Sequence, residues 1–437
     1  MKYKILTLGW EFPPQINGGL GVASLGLTRA LSEYAEISVI IPRSDPRTLA
    51  ENFQLIGANE VDIEKLAGET PKIHRSILSK VHIDYVDVSL SGYEQPTLYY
   101  TRKPASRPVM VVERPVKDNI IGMPRKFRLG ALYGSDLLTR ISEFTDIASR
   151  LSRKLQFDFI HAHDWMTFLA GLEIKAISGK PLVLHVHSLE YDRSGPEKKG
   201  YVFELEKHAM QEADLVMAVS DYTADVIENH YEIDPDKIWV VPNGLEKLKS
   251  YRKTPPFPEK LVVFAGRLVA QKGPGYFLEM AMKVLEKYTN VRFAIAGQGE
   301  KLPELVQTVA EARLGDKIHF TGFLSGKDLR KLLAMADVLV MPSVSEPFGL
   351  IATEAVQMGV ACVISHQSGV SEVLKHAPKA NYHDTDQMAA WVLSLLNDPS
   401  LWRKTVAATQ KDLESISWDI SARKAIAGFE RLSAQKK

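Results

Sequence analysis

Along the 437-residue chain, short runs of β-branched and aromatic residues alternate with stretches of helical periodicity. In the first half, Lys4–Leu8, Ile37–Ile41, Phe159–His163, Leu182–Val186 and Leu215–Val219 read as strands. Leu20–Leu31 has apolar positions at 20, 27, 30 and 31 with small residues between, which predicts a helix after the first strand. The second half repeats the pattern: Leu261–Ala265, Arg292–Ala296, Ile318–Phe320, Val338–Met341 and Cys362–Ile364 each precede a helix-like segment. This alternation predicts an α/β fold of parallel sheets covered by helices. Ile83–Val88 and Thr97–Tyr100 read as a hairpin-type insertion. The stretch KLKSYRKTPPFPEK, Lys247–Lys260, is basic and Pro-rich, a poor core and a good linker. The expected architecture is two doubly wound domains facing each other across a cleft, residues 1–218 and 219–412. A helical tail, 413–437, is expected to return to the first domain. Closure of such a cleft would use hinges in 219–258 and near 413.

Composition narrows the function classes. The 54 Lys+Arg against 53 Asp+Glu leave a net charge of +1, which argues against a globally basic nucleic-acid binder. One cysteine, Cys362 within VACVIS, excludes a disulfide framework and a Cys-rich zinc site. It reads as a buried strand residue in a protein of a reducing compartment, so the expected location is the cytoplasm. No run approaches the ~18 apolar residues of a membrane span, and MKYKILTLGW lacks a signal-peptide core.

Several motifs carry candidate chemistry. The loop Gly9–Gly21, GWEFPPQINGGLG, is too long for a dinucleotide fingerprint. Gly18 and Gly19 either let backbone amides approach a phosphate or serve the path of the loop itself. Gly297-Gln298-Gly299 fails the fingerprint because Leu302 holds the third glycine position, and no P-loop exists. In AGRLVAQKG, Arg267 and Lys272 follow a strand's carboxyl end, where open α/β sheets bind ligands; a guanidinium and an ammonium beside a flexible Gly273 suit a diphosphate. In PSVSEPFGLIATEAVQMG, Glu346 precedes a helix opening near Phe348-Gly349, and Glu354 falls in its second turn. Carboxylates there can accept bonds from vicinal sugar hydroxyls, and the amides of Gly349 and Leu350 can hold phosphate. Two HxH pairs, His161/His163 and His185/His187, each share one face of a strand. Either pair can hold a metal, rest as a core group or bind substrate. Asp164-Trp165 adds an acceptor and an aromatic platform of the kind a sugar uses. Asp234-x-Asp236 and Asp384-x-Asp386 look like metal-binding DxD motifs but sit in polar turns.

Taken together, EFPPQINGGLG, HAHDW, HVHSLEYDRSG, AVSDYT, VPNG, GRLVAQKG, GQGE, FTGFLS and SEPFGLIATEA, in that order, resemble the retaining GT-B glycosyltransferases. More closely, they resemble glycogen and starch synthases of the short archaeal kind. The resemblance implies two Rossmann-like domains, and transfer of glucose with retention from UDP-glucose or ADP-glucose to the non-reducing 4-OH of an α-1,4-glucan such as glycogen. It implies that Arg267 and Lys272 neutralise the departing diphosphate and that Gly18, Gly19, Gly349 and Leu350 offer amides to the donor. Glu346 would bind the glucose hydroxyls, Glu354 the ribose, His163 would sit by the reacting carbon, and Asp136 in YGSDLLTR would lie on the acceptor side. It implies no metal and no cofactor beyond the nucleotide sugar. One departure stands in the first loop, where Ile16 replaces the family's lysine.

Two other readings compete. A related transferase could use a small-molecule or lipid acceptor; a lipid acceptor calls for a basic amphipathic helix, for which Pro124–Arg128, PRKFR, is a weak candidate. A sugar-binding protein without activity would not be expected to keep Arg267, Lys272, Glu346 and His163 together. The sequence leaves self-association and the choice between uracil and adenine open.

Overall fold

The computed structural model describes residues 2–12, 19–44, 52–60, 137–248, 254–324 and 326–435. Gly18, Ile16, Asp136, the insertion at 83–100 and the PRKFR stretch lie outside these residues. The chain divides into two units. Met1–Val219, Ala224–Gly244 and Trp418–Lys437 form the first, and Ser220–Thr223 with Leu245–Ser417 form the second. The sequence reading draws its boundary at 218. The chain returns to the first unit for 224–244 because Ile238–Val240 pairs there in the sheet.

The first unit holds seven parallel strands: β1 (Lys4–Leu8), β2 (Glu36–Ile41), β3 (Gln54–Gly57), β4 (Phe159–His163), β5 (Leu182–Val186), β6 (Leu215–Ala218) and β7 (Ile238–Val240), in the order β3-β2-β1-β4-β5-β6-β7. Its central strands are buried on both faces, which is why they read as continuous apolar runs; β4, FIHAH, is fully buried and still carries two histidines. Helix Trp418–Gln435 packs on this unit: Phe429 lies 5.0 Å from Phe159, Trp239 donates to the Lys424 carbonyl at 2.8 Å, and Ser421 donates to the Pro242 carbonyl at 2.6 Å. Burying an aromatic ring such as Phe429 contributes about 1.5–3 kcal/mol.

The second unit holds β8 (Lys260–Ala265), β9 (Val291–Ala296), β10 (Ile318–Gly322), β11 (Val338–Met341), β12 (Ala361–Ser365) and β13 (Lys379–Ala380), in the order β10-β9-β8-β11-β12-β13. Phe264, Phe277 and Phe293 anchor its core under helix Pro274–Leu285. Both sheets are therefore parallel and Rossmann-like, with the strand order reversing between β1 and β4 in one and between β8 and β11 in the other. Every strand expected from the sequence within the described residues is present. The three that the pattern did not announce, β3, β7 and β13, are short strands at sheet edges, where one side lacks a partner and no apolar run is needed. Among the described residues no helix is long and apolar enough to cross a membrane.

Candidate active site

In an open parallel sheet, the loops leaving the carboxyl ends of the two strands at the order reversal diverge and expose a crevice. In the second unit those loops are Gly266–Gly273 after β8 and Pro342–Gly349 after β11. Side chains cross-brace them. Lys272 Nζ lies 2.6 Å from Glu346 Oε2, with the two side chains 19% and 12% exposed. Ser343 Oγ donates to the same carboxylate oxygen at 3.3 Å. Arg267 donates to Gln271 Oε1 at 3.2 Å, and Gln271 Nε2 donates to the Ser345 carbonyl at 3.1 Å. The backbone of Glu346 is fixed on both sides: its N–H donates to the Gln367 carbonyl at 3.0 Å, and its carbonyl accepts from Gly369 at 2.9 Å. One guanidinium, one ammonium and one carboxylate are thus held within a single loop pair.

Gly273 is less a source of flexibility than a close-packed wedge, a correction to the sequence reading. Its φ is 66°, and a Cβ there would stand 2.1 Å from the Pro342 carbonyl oxygen. The GQG turn has the same character, since a Cβ at Gly297 would stand 1.8 Å from the Gly266 oxygen. Leu268 donates to the Gln298 carbonyl at 2.8 Å and accepts from Lys301 at 2.9 Å, so this turn buttresses the Arg267 loop.

Gly349 caps helix Leu350–Gln357, whose first amides point out of its N-terminus, the favourable end for an anion. Glu354 lies in the second turn of that helix; burial raises its pKa, with Arg330 pulling the other way. Tyr222 reaches Ser345 Oγ at 2.8 Å through its hydroxyl, and its N–H donates to Glu372 at 2.7 Å.

The first unit loads its own order reversal differently. His163 is 1% exposed and is grouped with three other histidines rather than with charges. The register sets His163 beside His185. His161 Nε2 meets His185 Nδ1 at 3.2 Å, and His163 Nδ1 meets His187 Nε2 at 2.9 Å. Burial lowers the pKa of His161 and His187 to about 3, and that of His163 and His185 well below the usual value, so the rings are neutral at ordinary pH. Asp164, with φ 61°, accepts from the amides of His187 at 2.8 Å and Ser188 at 3.2 Å, and burial raises its pKa to about 7. Trp165 is buried at the start of helix Trp165–Ser178, so the sugar platform expected of Asp164-Trp165 is corrected: one residue braces a loop and the other fills the core.

Comparison with known proteins joins these observations to a family. Residues 249–412 match the description of glycosyl transferases group 1, and residues 95–247 match glycosyltransferase family 4. The chain is 30% identical over 307 residues to an alpha-maltose-1-phosphate synthase of Mycolicibacterium smegmatis, covering 63% of this chain and 79% of that one. The chain belongs to the group 1 glycosyltransferases. It is also 27% identical over 449 residues to an uncharacterized glycosyltransferase of Methanocaldococcus jannaschii, with 97% of each chain covered. A glycogen synthase of Mycobacterium tuberculosis is 28% identical over 280 residues, covering 61% of this chain and 66% of that one. The fold is that of the sucrose-phosphate synthase of Thermosynechococcus elongatus, at a TM-score of 0.68 and 17% identity, with 99% of this chain and 100% of that one covered.

Within this glycosyltransferase, the structure brings Arg267, Lys272 and Glu346 together, with Gly349 and Leu350 on the continuation of the same loop. Gly19 is the exposed first residue of helix Gly19–Ser32. The two DxD motifs are caps: Asp234 accepts from Asp236 N at 2.9 Å, Asp384 accepts from Gln387 N at 3.0 Å, and Asp386 pairs with Lys283. Sequence reasoning gave no part to Gln271 or Tyr222, which tie the charged loop down. It also missed a network around HSLEYDRSG: fully buried Glu206 accepts from Arg193 at 2.7 Å, from the Tyr231 hydroxyl at 2.6 Å and from the Glu190 amide at 2.9 Å. Burial works against the charge of Arg193, but Glu206, Glu190 and Asp164 outweigh it and raise the guanidinium pKa. The only hint was a charged run, EYDR, just past a buried strand.

Proposed function

We propose that this glycosyltransferase moves glucose, with retention, from UDP-glucose or ADP-glucose to the non-reducing 4-OH of an α-1,4-glucan. The observation that carries the reading is the Arg267–Lys272–Glu346 cluster at the order reversal of the second sheet. Two fixed cations meet the charge that grows on a departing diphosphate, and preorganised charge of this kind supplies much of the rate enhancement in group-transfer catalysis. The glutamate beside Lys272 is assigned to the hydroxyls of a sugar attached to that diphosphate, since a carboxylate can accept hydrogen bonds from vicinal hydroxyls. The amides of Gly349 and Leu350 add donors at a helix N-terminus, and Glu354 is assigned to the ribose. On the front-face path proposed here, the C1–O bond to the diphosphate breaks with its electron pair going to the phosphate oxygen, the C1–O bond to the acceptor forms on the same face, and that leaving oxygen accepts the proton of the attacking 4-OH. His163, its ring tied to His187 at 2.9 Å, keeps the part by the reacting carbon that the resemblance gives it. Gly18, Gly19 and Asp136 keep the donor and acceptor parts that the resemblance gives them.

The reading is supported by the motif order, the family, and glycogen synthase among the relatives. Its test is incorporation of labelled glucose from UDP-glucose and ADP-glucose, in parallel, into glycogen, followed by an α-1,4-specific amylase. Amylase-sensitive label is expected, and the ratio of the two donors gives the base preference. Absence of label from both donors, with nucleotide binding intact, would turn the assignment to a small-molecule acceptor. The alpha-maltose-1-phosphate synthase among the relatives keeps that second reading in view.

A further inference from the structure

The motif AVSDYT runs from the end of β6 into helix Asp221–Tyr231, and its Ser220–Thr223 stretch counts with the second unit. Ser220 stands one residue before the helix, and its Oγ accepts from the Thr223 amide at 3.0 Å, the bond of an N-cap. The Glu372 carboxylate accepts from the amides of Asp221 at 3.0 Å and Tyr222 at 2.7 Å. The amides of the first three helical residues are thereby taken. This helix start is an anchor rather than a place for an anion.

What it anchors is the loop that carries Glu346. Pro347 has no N–H, so its carbonyl is its only backbone hydrogen-bonding group. That carbonyl accepts from Ser220 Oγ at 2.6 Å and from Thr223 Oγ1 at 3.3 Å, and both donor residues are buried. On the other side of Glu346, the Tyr222 hydroxyl meets Ser345 Oγ at 2.8 Å, while Gln271 holds the Ser345 carbonyl at 3.1 Å. Packing leaves no slack, because a Cβ on Gly369 would stand 2.2 Å from the Pro347 oxygen and 2.5 Å from Ser220 Cβ. With Gln367 and Gly369 bonded to the Glu346 backbone, residues 345, 346 and 347 are each pinned. The carboxylate itself is left to Lys272 and Ser343.

The hydroxyls of this motif thus grip the two residues that flank a functional carboxylate. Such a group must hold its place closely, since a displacement of about 1 Å can cost about 10²-fold in rate. We propose that Ser220 and Tyr222 are positioning residues that act on the donor sugar through Glu346, a role that rests on the sugar-binding part assigned to that glutamate. Glu372 completes the device by fixing the backbone from which both side chains reach.

The test is a double-mutant cycle on the full chain, read as transfer of label from UDP-glucose or ADP-glucose to glycogen and as hydrolysis of the same donor by water. Tyr222→Phe keeps the ring and its backbone bonds and removes only the hydroxyl. It should lower kcat about tenfold, with donor KM changing less and UDP affinity by calorimetry unchanged. In the Glu346→Gln background the same change should add less than about twofold, because the group it positions is already gone. Ser220→Ala should behave alike; should it fail to fold, Tyr222→Phe and its cycle decide. A role in stability alone would lower the Tm of Tyr222→Phe and leave the kcat of the folded variant intact, which would overturn the proposal. So would a full tenfold loss in the Glu346→Gln background. A wild type that hydrolyses donor without labelling glycogen removes the glucan acceptor alone, and the cycle is then read on hydrolysis. A wild type that neither transfers nor hydrolyses either donor would overturn the positioning role together with the reading beneath it.

Discussion

The two sheets reverse their strand order in the same way, yet they fill the reversal with opposite electrostatics. In the second unit the loops after β8 and β11 carry formal charges, Arg267, Lys272 and Glu346, kept partly exposed and braced by Gln271 and Ser343. In the first, β4 and β5 end in neutral, buried imidazoles, and the charged groups nearby, Arg193 and Glu206, are consumed by one another. One topology therefore supports two kinds of site. Partly exposed, fixed charge is the arrangement for gripping a polyanion, and neutral, close-packed burial is the arrangement for a rigid platform.

The comparison can be broken most directly at Lys272. Replacement by alanine removes a preorganised cation and should lower kcat by about 10²–10³, with circular dichroism unchanged. A near-normal rate would deny the second site its electrostatic role. A smaller effect is expected in the scaffold beneath it: Gly297→Ala drives a Cβ into the Gly266 oxygen and should destabilise the second unit by about 3 kcal/mol in urea unfolding. In the first unit, Tyr231→Phe removes one donor from buried Glu206 and should lower stability by about 2 kcal/mol while sparing UDP affinity. The gentlest probe is acid. His161 has its pKa lowered from 6.5 to about 3 on folding, so its contribution is present above pH 6.5 and is lost as pH falls toward 3, at about 1.4 kcal/mol per pH unit. Asp164, raised from 3.8 to about 7, has the opposite sign and loses stability as pH rises through that window, but it is one group against four histidines. Hydrogen exchange in β4 and β5 should therefore rise on acidification before that in β8 and β11.

What could be read in the sequence follows from burial. Strands such as Val338–Met341 sit in mid-sheet with both faces covered, so their apolar runs announce them; Lys379–Ala380 pairs at an edge over two residues and leaves no run. Arg267, Lys272 and Glu346 were legible because charge just past a buried strand is informative. Gln271 and Tyr222 were not, because an ordinary polar residue gains meaning only from the carbonyl or hydroxyl it meets, Ser345 in both cases. Each HxH pair was visible alone, but their meeting depends on the β4–β5 register, which no local pattern encodes. Trp165 misled for a related reason: an aromatic after a strand end can face solvent or core, and helix packing decided for the core.

The central claim is that the charged reversal of the second sheet holds the donor's diphosphate. Calorimetric titration of UDP and ADP into the wild type and into an Arg267→Ala/Lys272→Ala double variant tests it without requiring the acceptor. The account predicts measurable binding of at least one nucleotide by the wild type, weakening with added salt, and loss of about 100-fold or more in the variant, since hydrogen bonds to charged groups contribute about 1.5–3 kcal/mol each. Binding of equal strength in the folded double variant would contradict it.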